Sequence, residues 1–481
     1  MSQATKTTAM TLGFFLDGRW LTEGEPIDVL APHDGSVVGT TFRATARHVQ
    51  TAIEAAVRAF ATTRKLPTYR RQRILRTIAE GIAARREEFA AVMALEAGKP
   101  IKAARVEVER AIFTFTIAAE ESGRIGGEWL PLDLQPSTAG RAAIVRRFAL
   151  GPIAAITPFN FPLNLVAHKV APAIAAGCTI VLKPAPKTPL SALLLAQLVE
   201  QAGWPAGALN VLSLSNADAE RIVTDDRLKL LTFTGSGAVG WELKKKAGKK
   251  RVALELGGNA GVIVHSDADL EHAASRCVQG GFSYAGQSCI SVQRIFVHRP
   301  AYERFLAALL PQVAKLKLGE PLEEATDVGP MINEDAAKRA EAWVEEAVAG
   351  GAKLVAGGKR RGAYFEPTVL TGTTPRMRVN CEEVFAPVVT VEPYEEFGEA
   401  LRRVNDSPYG LQAGVFTRDL KLLLSAYEEL EVGGVIADDI PSFRIDHMPY
   451  GGIKDSGMGR EGLRFAIEEM TERKLLVLNL H

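Results

Sequence analysis

Apolar residues recur three and four positions apart in two stretches near the N-terminus. Val49, Ile53, Val57 and Phe60 line one face of a helix expected over 45–60. Ile74, Ile78 and Ile82, continued by Phe89, Val92 and Met93, predict a helix over 70–95 that Gly98 and Pro100 terminate. A third helix is expected over 105–120. The pattern then changes: short apolar runs at 153–156, 179–182, 209–212, 229–233 and 252–255 lack period-two alternation and alternate with helical segments such as 191–202 and 239–247. Unbroken apolar runs separated by helices predict parallel strands covered on both faces and joined by right-handed crossovers. A second series of this kind starts at 261–264 and continues through helices at 301–316 and 335–349. Segment 130–148 interrupts the alternation with two extended runs around a polar turn at 135–140, which predicts a hairpin. The C-terminus, 475–480, is an apolar, strand-like tail. Bare edges of this kind invite aggregation, so hairpin and tail are expected to pair with each other or across a subunit interface. A homo-oligomer, dimer or tetramer, follows from that reading.

Composition narrows the function class. The chain has 481 residues, a formal net charge of +1, 47% hydrophobic and 23% charged residues. It can bury a sizeable core, and neutrality argues against a nucleic-acid footprint, which needs a basic excess or stripe. The longest uncharged stretch, 148–167, could span a bilayer by length. Pro152, Pro158, Pro162, Asn160 and Asn164 would leave polar groups unsatisfied in lipid, so it reads as a buried strand and the loop after it, with no membrane partner. The N-terminal segment MSQATKTTAM lacks an apolar core, so no secretory signal is expected. Cys178, Cys277, Cys289 and Cys381 lie far apart without C-x-x-C spacing or a histidine cluster, which predicts no metal site and suits a reducing cytoplasm.

Six short motifs carry candidate chemistry. Gly235-Ser236-Gly237-Ala238-Val239-Gly240 follows a predicted strand and opens a helix, where free N–H groups favour a phosphate. Glu255 lies twenty residues beyond Gly235, where a Rossmann ribose anchor would stand. Cys289 sits in the polar, glycine-containing loop Gly286-Gln287-Ser288-Cys289, whereas Cys178 and Cys277 read as small buried hydrophobes. The others are Glu255-Leu256-Gly257-Gly258-Asn259, Thr157-Pro158-Phe159-Asn160-Phe161-Pro162, Lys183-Pro184-Ala185-Pro186-Lys187 and Glu382-Glu383-Val384-Phe385-Ala386-Pro387. Each alone also fits a turn, a solvated loop or a packing glycine.

In this order and spacing, and with the closing motif spanning 449–462, they resemble the NAD(P)-dependent aldehyde dehydrogenase superfamily over nearly the whole chain. The resemblance implies an α/β fold: a Rossmann-type cofactor domain (1–129 and 149–256), an α/β catalytic domain (257–448) and a small β oligomerisation arm (130–148 and 470–481). It reassigns Glu255 from ribose anchor to general base, with Cys289 as nucleophile and Asn160, together with the Cys289 N–H, as oxyanion donors. It implies NAD or NADP held by Thr157, Phe159, Lys183, Gly235, Ser236, Gly240, Gly257, Glu383 and Phe385. Glu255 favours hydrolysis of a thioester over its transfer to coenzyme A.

Several positions depart from the family pattern. Where many NAD-preferring relatives carry Glu, three residues after the ribose lysine, this chain has Pro186 followed by Lys187, so NADP is expected to be accepted or preferred. Arg444, in Ser442-Phe443-Arg444-Ile445-Asp446-His447-Met448, resembles the branch of lactaldehyde, non-phosphorylating glyceraldehyde-3-phosphate and phosphonoacetaldehyde dehydrogenases and is expected to clamp a substrate tail. Ser288 stands where phosphate-handling relatives often carry Arg, which favours a short hydroxylated or carboxylated aldehyde such as lactaldehyde. Succinate-semialdehyde or non-phosphorylating glyceraldehyde-3-phosphate oxidation are the alternatives. Ala386 replaces a usual Gly, so its turn is expected not to need a left-handed residue, and Asp438 replaces a common Asn near the expected site.

Overall fold

The computed structural model describes residues 10–480; the start of the N-terminal segment read as lacking a signal lies outside them. The five central apolar runs become neighbouring strands of one sheet. Ile153–Ile156, Ile180–Lys183, Leu209–Val211, Leu230–Thr234 and Arg251–Glu255 pair in parallel. From Ile153–Ile156 the chain winds one way through the next two strands, then crosses over and winds the other way through the last two. This reversal opens a crevice at the carboxyl ends of the strands starting at Ile153 and Leu230, the place where doubly wound sheets bind ligands. Antiparallel strands Phe14–Leu16 and Arg19–Leu21 extend one edge and Gly457–Met458 closes the other, completing eight strands.

A seven-stranded sheet follows in the order Lys353–Ala356, Thr368–Thr371, Val388–Tyr394, Val292–His298, Ala260–Val264, Gln412–Phe416, Gly434–Ala437, parallel except for the first. Separate apolar cores lie against the two sheets, one with Leu75, Ile78 and Phe89, the other with Phe282, Phe305 and Phe365. Each such side chain contributes roughly 1.5–3 kcal/mol by leaving water.

The hairpin forms from Gly127–Pro131 and Arg141–Ala149, and the tail Thr471–Asn479 pairs along its second strand from Thr471↔Ala149 to Asn479↔Arg141. Hairpin and tail thus pair within one chain. The first hairpin strand begins three residues earlier than expected.

Three differences from the sequence pattern have clear causes. The helix expected over 70–95 is two, Thr68–Ala84 and Arg86–Ala97, broken at Arg85 (φ −107°, ψ 23°), whose guanidinium binds Glu88 and Gln197. Helix Asn164–Ala176, unforeseen, is buried on every side, so it has no polar stripe to create a 3.6-residue period. The N-terminal strands, two to six residues each, are too short to show alternation. No helix among the described residues is long and apolar enough to cross a membrane; the uncharged stretch at 148–167 holds buried strand Ile153–Ile156, a loop and the start of Asn164–Ala176.

Candidate active site

The crevice deepens into a cavity of about 1300 Å³ between the two sheets. Of the residues singled out in the sequence, Phe159, Asn160, Gly235, Ser236, Glu255, Gly257, Cys289, Glu383, Phe385 and Arg444 all line it. Thr157, Lys183, Lys187 and Gly240 do not. Lys183 ends its strand beside Thr157, whose N–H donates to the Lys183 carbonyl at 3.1 Å. Burial lowers its ammonium pKa to about 8. Lys187 is exposed on the same loop. Gly240 is corrected from cofactor contact to packing residue: it sits inside helix Gly237–Lys246, where a Cβ would collide with Leu256 and press on Phe233 at 3.2 Å.

Cys289 stands on a loop with unusual backbone. Tyr284, Ala285 and Gly286 are successively left-handed (φ 51°, 52° and 67°), which costs non-glycine residues about 1–2 kcal/mol each. Such strain concentrates at functional sites. The Cys289 thiol lies 3.0 Å from the Tyr450 hydroxyl, and burial pushes its pKa up to about 12. Asn160 donates through Nδ2 to the Gln287 carbonyl at 3.0 Å. One Nδ2–H of Asn160 therefore remains to donate, and the Cys289 N–H has no partner among the described residues.

Glu255 ends its strand, buried, with Oε2 lacking a hydrogen bond. Burial, reinforced by the nearby Glu461 carboxylate, raises its pKa well above the ordinary range. Glu383 accepts from the Gly258 N–H at 2.9 Å, and burial raises its carboxyl to about 7. A Cβ on Gly257 would strike that carboxylate. Phe385 meets Phe159 edge to face at 5.9 Å. Phe385 itself is left-handed (φ 51°), so the turn expected to do without such a residue has one, shifted a place before Ala386. Asp438 is corrected as well: it is exposed, does not line the cavity and occupies a left-handed position (φ 51°), a conformation Asn and Asp tolerate better than most residues.

Sequence reasoning missed a buried ionic chain beside Arg444. Arg444 donates to Glu461 at 2.8 Å and lies 3.7 Å from the centre of the Tyr450 ring, while its Nε has no partner. Lys169 holds the other Glu461 oxygen at 2.7 Å. Burial opposes ionisation of Glu461, but Lys169 and Arg444 prevail and hold its carboxyl below the usual range. Asp446 accepts two bonds from Arg110, at 3.1 and 2.7 Å, one from Asn164 and one shared with His168. The available signal was His168-Lys169 inside an otherwise apolar segment, since lysine is almost never fully buried without a partner.

A doubly wound sheet whose switch point opens onto a second α/β sheet, with a thiol, a buried carboxylate and an amide in one cavity, has the build of a nucleotide-dependent enzyme. The aldehyde dehydrogenase family profile matches residues 20–476. A 3-sulfolactaldehyde dehydrogenase of Priestia aryabhattai is 47% identical, over 98% of this chain and 99% of that protein. Aldehyde dehydrogenase 21 of Physcomitrella patens, solved with the reaction product succinate, superposes with a TM-score of 0.97 at 46% identity, covering 98% and 99% of the two chains. A glyceraldehyde-3-phosphate dehydrogenase of Methanocaldococcus jannaschii, complexed with NADP, gives a TM-score of 0.92 at 40% identity, covering 95% and 100%. The chain belongs to the aldehyde dehydrogenase family. It is an oxidoreductase that acts on aldehydes with NAD(P).

Proposed function

We propose that this chain oxidises a short aldehyde with an anionic or hydroxylated tail to the carboxylic acid, through a thioester on Cys289. The observation that carries the reading is that Cys289, Asn160, Glu255 and Arg444 line one cavity. Cys289 attacks the aldehyde carbon as thiolate. The oxyanion of the resulting thiohemiacetal is held by Asn160 Nδ2 and the Cys289 N–H, donors whose individual loss typically costs about 10²–10³-fold in kcat. When bound, the nicotinamide supplies the hydride acceptor. Its fit rests on the open first turn of helix Gly237–Lys246 beside Gly235 and Ser236 for phosphate, and on the Glu383 carboxylate for ribose hydroxyls. Glu255 then deprotonates the water that hydrolyses the thioester.

The substrate tail meets a guanidinium-rich wall. Arg110 and Arg444 line the cavity together. Both guanidinium groups are held by buried carboxylates, Arg110 by Asp446 and Arg444 by Glu461, and the Arg444 Nε stays unpaired as a donor for an anionic group. Arg110 supplies the second half of a clamp that Ser288 does not provide. The 3-sulfolactaldehyde and succinate of the two relatives each bear such a group. Arg444→Lys keeps the charge on Glu461 but loses the planar fork. It is expected to lower kcat/KM for 3-sulfolactaldehyde about 10–100-fold and for neutral lactaldehyde less than about threefold, consistent with a charged hydrogen-bonded contact. Equal losses on both aldehydes would remove Arg444 from the clamp.

NADP is accepted because the loop from Lys183 to Pro189 carries no carboxylate to repel a 2′-phosphate and exposes Lys187. Lys187→Glu is expected to lower kcat/KM for NADP about tenfold while leaving NAD within about twofold; unchanged NADP kinetics would exclude the contact. The two large sheets support the division into a cofactor unit, 1–129 and 149–256, and a catalytic unit, 257–448. The arm at 130–148 and 470–481 exposes Leu134, Leu475, Leu476 and Val477, an apolar surface that supports a homo-oligomer. Four free cysteines support a cytoplasmic location.

A further inference from the structure

The segment Glu96-Ala97-Gly98-Lys99, which in the sequence is only a helix stop, is completely buried and does more than end a helix. Gly98 turns the chain in a left-handed conformation (φ 68°) at the end of Arg86–Ala97, where a Cβ would crowd Pro330 at 2.8 Å. The turn sends three functional groups, those of Glu96, Ala97 and Lys99, in three directions.

Glu96 accepts from the Leu190 N–H at 2.9 Å, the Ser191 N–H at 3.0 Å and the Ser191 hydroxyl. It therefore caps helix Leu190–Gln201, which begins where the Lys183–Lys187 loop ends. The Ala97 carbonyl accepts from the Tyr284 hydroxyl at 3.0 Å, and Tyr284 is the first left-handed residue of the Cys289 loop. Lys99 donates to Glu107, whose other oxygen accepts from the Leu163 and Asn164 N–H groups at 3.0 Å each, just after the Asn160 loop. The Lys99 ammonium also lies 3.9 Å from the Phe161 ring centre and 4.5 Å from that of Tyr284, so it contacts aromatic residues of both loops.

We propose that residues 96–99 form a positioning hub that sets the cofactor loop, the nucleophile loop and the oxyanion-donor loop in register with one another. The cofactor and oxyanion-donor loops leave paired strands, where the Thr157 N–H meets the Lys183 carbonyl at 3.1 Å. The nucleophile loop leads into the other sheet, and no backbone hydrogen bond among the described residues fixes its distance from the other two. A buried segment that bonds to each supplies that link. The Lys99–Glu107 pair has an evident reason to persist despite the desolvation cost of burying both charges: Glu107 holds two helix-start N–H groups that would otherwise lie buried and unpaired. Left-handed Tyr284 and Ala285 keep their strained backbone only while the surroundings hold them there, and the Ala97 carbonyl is the anchor at one end.

The inference rests on the roles proposed above for Cys289, Asn160 and Lys183, and the arms of the hub can be separated by measurement. In the full-length enzyme, Tyr284→Phe removes one hydroxyl, and Glu96→Gln weakens the helix cap without changing its size; Ser191→Ala is the substitute if Glu96→Gln does not fold. Each is measured for Cys289 alkylation by iodoacetamide without cofactor, for NADP dissociation constant, for kcat and for Tm, with the labelled residue located by mass spectrometry. Tyr284→Phe is expected to change the alkylation rate and lower kcat about tenfold, the scale of misplaced reacting groups, with NADP affinity within twofold. Glu96→Gln is expected to weaken NADP binding about fivefold, the loss of one or two modest hydrogen bonds, with alkylation within twofold. Parallel losses that track Tm, or no change in either variant, overturn the hub. Absence of labelling at Cys289 in the wild-type enzyme, whatever the labelling of half-exposed Cys381, overturns the proposed nucleophile and the hub with it, whereas labelling at Cys289 without the split overturns the hub alone.

Discussion

Cys289→Ala should form no NAD(P)H above background from any aldehyde, a loss of about 10⁴-fold or more, as expected when a covalent nucleophile is removed. Cys289 is the only thiol lining the cavity among the described residues; Cys178 and Cys277 are buried elsewhere and Cys381 lies outside it. The side chain is small and partly exposed, so the variant should fold with a Tm within a few degrees of the wild type. The thiol also predicts a pH signature. Its pKa is raised to about 12, so in the cofactor-free enzyme the proton stays on at neutral pH, and the thiolate fraction grows tenfold per pH unit. Iodoacetamide labelling of Cys289 should therefore climb steadily from pH 7 to 10 without a plateau. A plateau near pH 8 would mean that the cofactor-free site already activates the thiol. Turnover by Cys289→Ala within tenfold of wild type would exclude the thioester route altogether.

What could be read in the sequence, and what could not, follows from how each feature announces itself. Parallel strands such as Ile153–Ile156 and Leu230–Thr234 are apolar on both faces because helices cover both, and that produces uninterrupted runs. Helix Asn164–Ala176 is apolar for the same reason and so loses its helical signature; it carries His168 and Lys169, half of the ionic chain under Arg444. Cys289, Glu255 and Asn160 could be picked out because each sits in a short motif that carries the family resemblance, and the fold brings all three to one cavity; the spacing alone pointed Glu255 to a ribose. Glu461 lay within the closing motif but its role depends on Lys169 and Arg444, residues 292 and 17 positions away, and no local pattern encodes such a pairing. The glycine motif at 235–240 was legible as a strand-to-helix turn, and its start lines the cavity, yet only the packing of Gly240 on Leu256 and Phe233 separates its third glycine from the first. The same limit explains Arg110. Its place in the cavity wall depends on Asp446, 336 positions later.

Glu255→Gln should separate the two halves of the reaction. The substitution keeps size and shape at a buried strand end, so Asn160, Cys289 and the cofactor crevice stay in place. Hydride transfer precedes the step assigned to Glu255, and rapid mixing should still show one NAD(P)H per active site. Steady-state turnover should then fall about 10²–10⁴-fold, the contribution typical of a general base, with an acyl adduct on Cys289 detectable in the intact mass. The pH dependence supplies an independent check. A base must be ionised to act, and burial together with Glu461 raises the pKa of Glu255 above the ordinary carboxylate range. Wild-type deacylation should therefore rise with pH through that elevated value, and this limb should vanish in Glu255→Gln. Lys169, Arg444 and Arg460 pull the other way, so removing the cation of Lys169 should shift the limb upward in pH. If burst and steady state fall together, Glu255 acts in forming the thiohemiacetal as well as in hydrolysis. If neither falls, a different group carries the proton from water, and the unpaired Oε2 of Glu255 is structural.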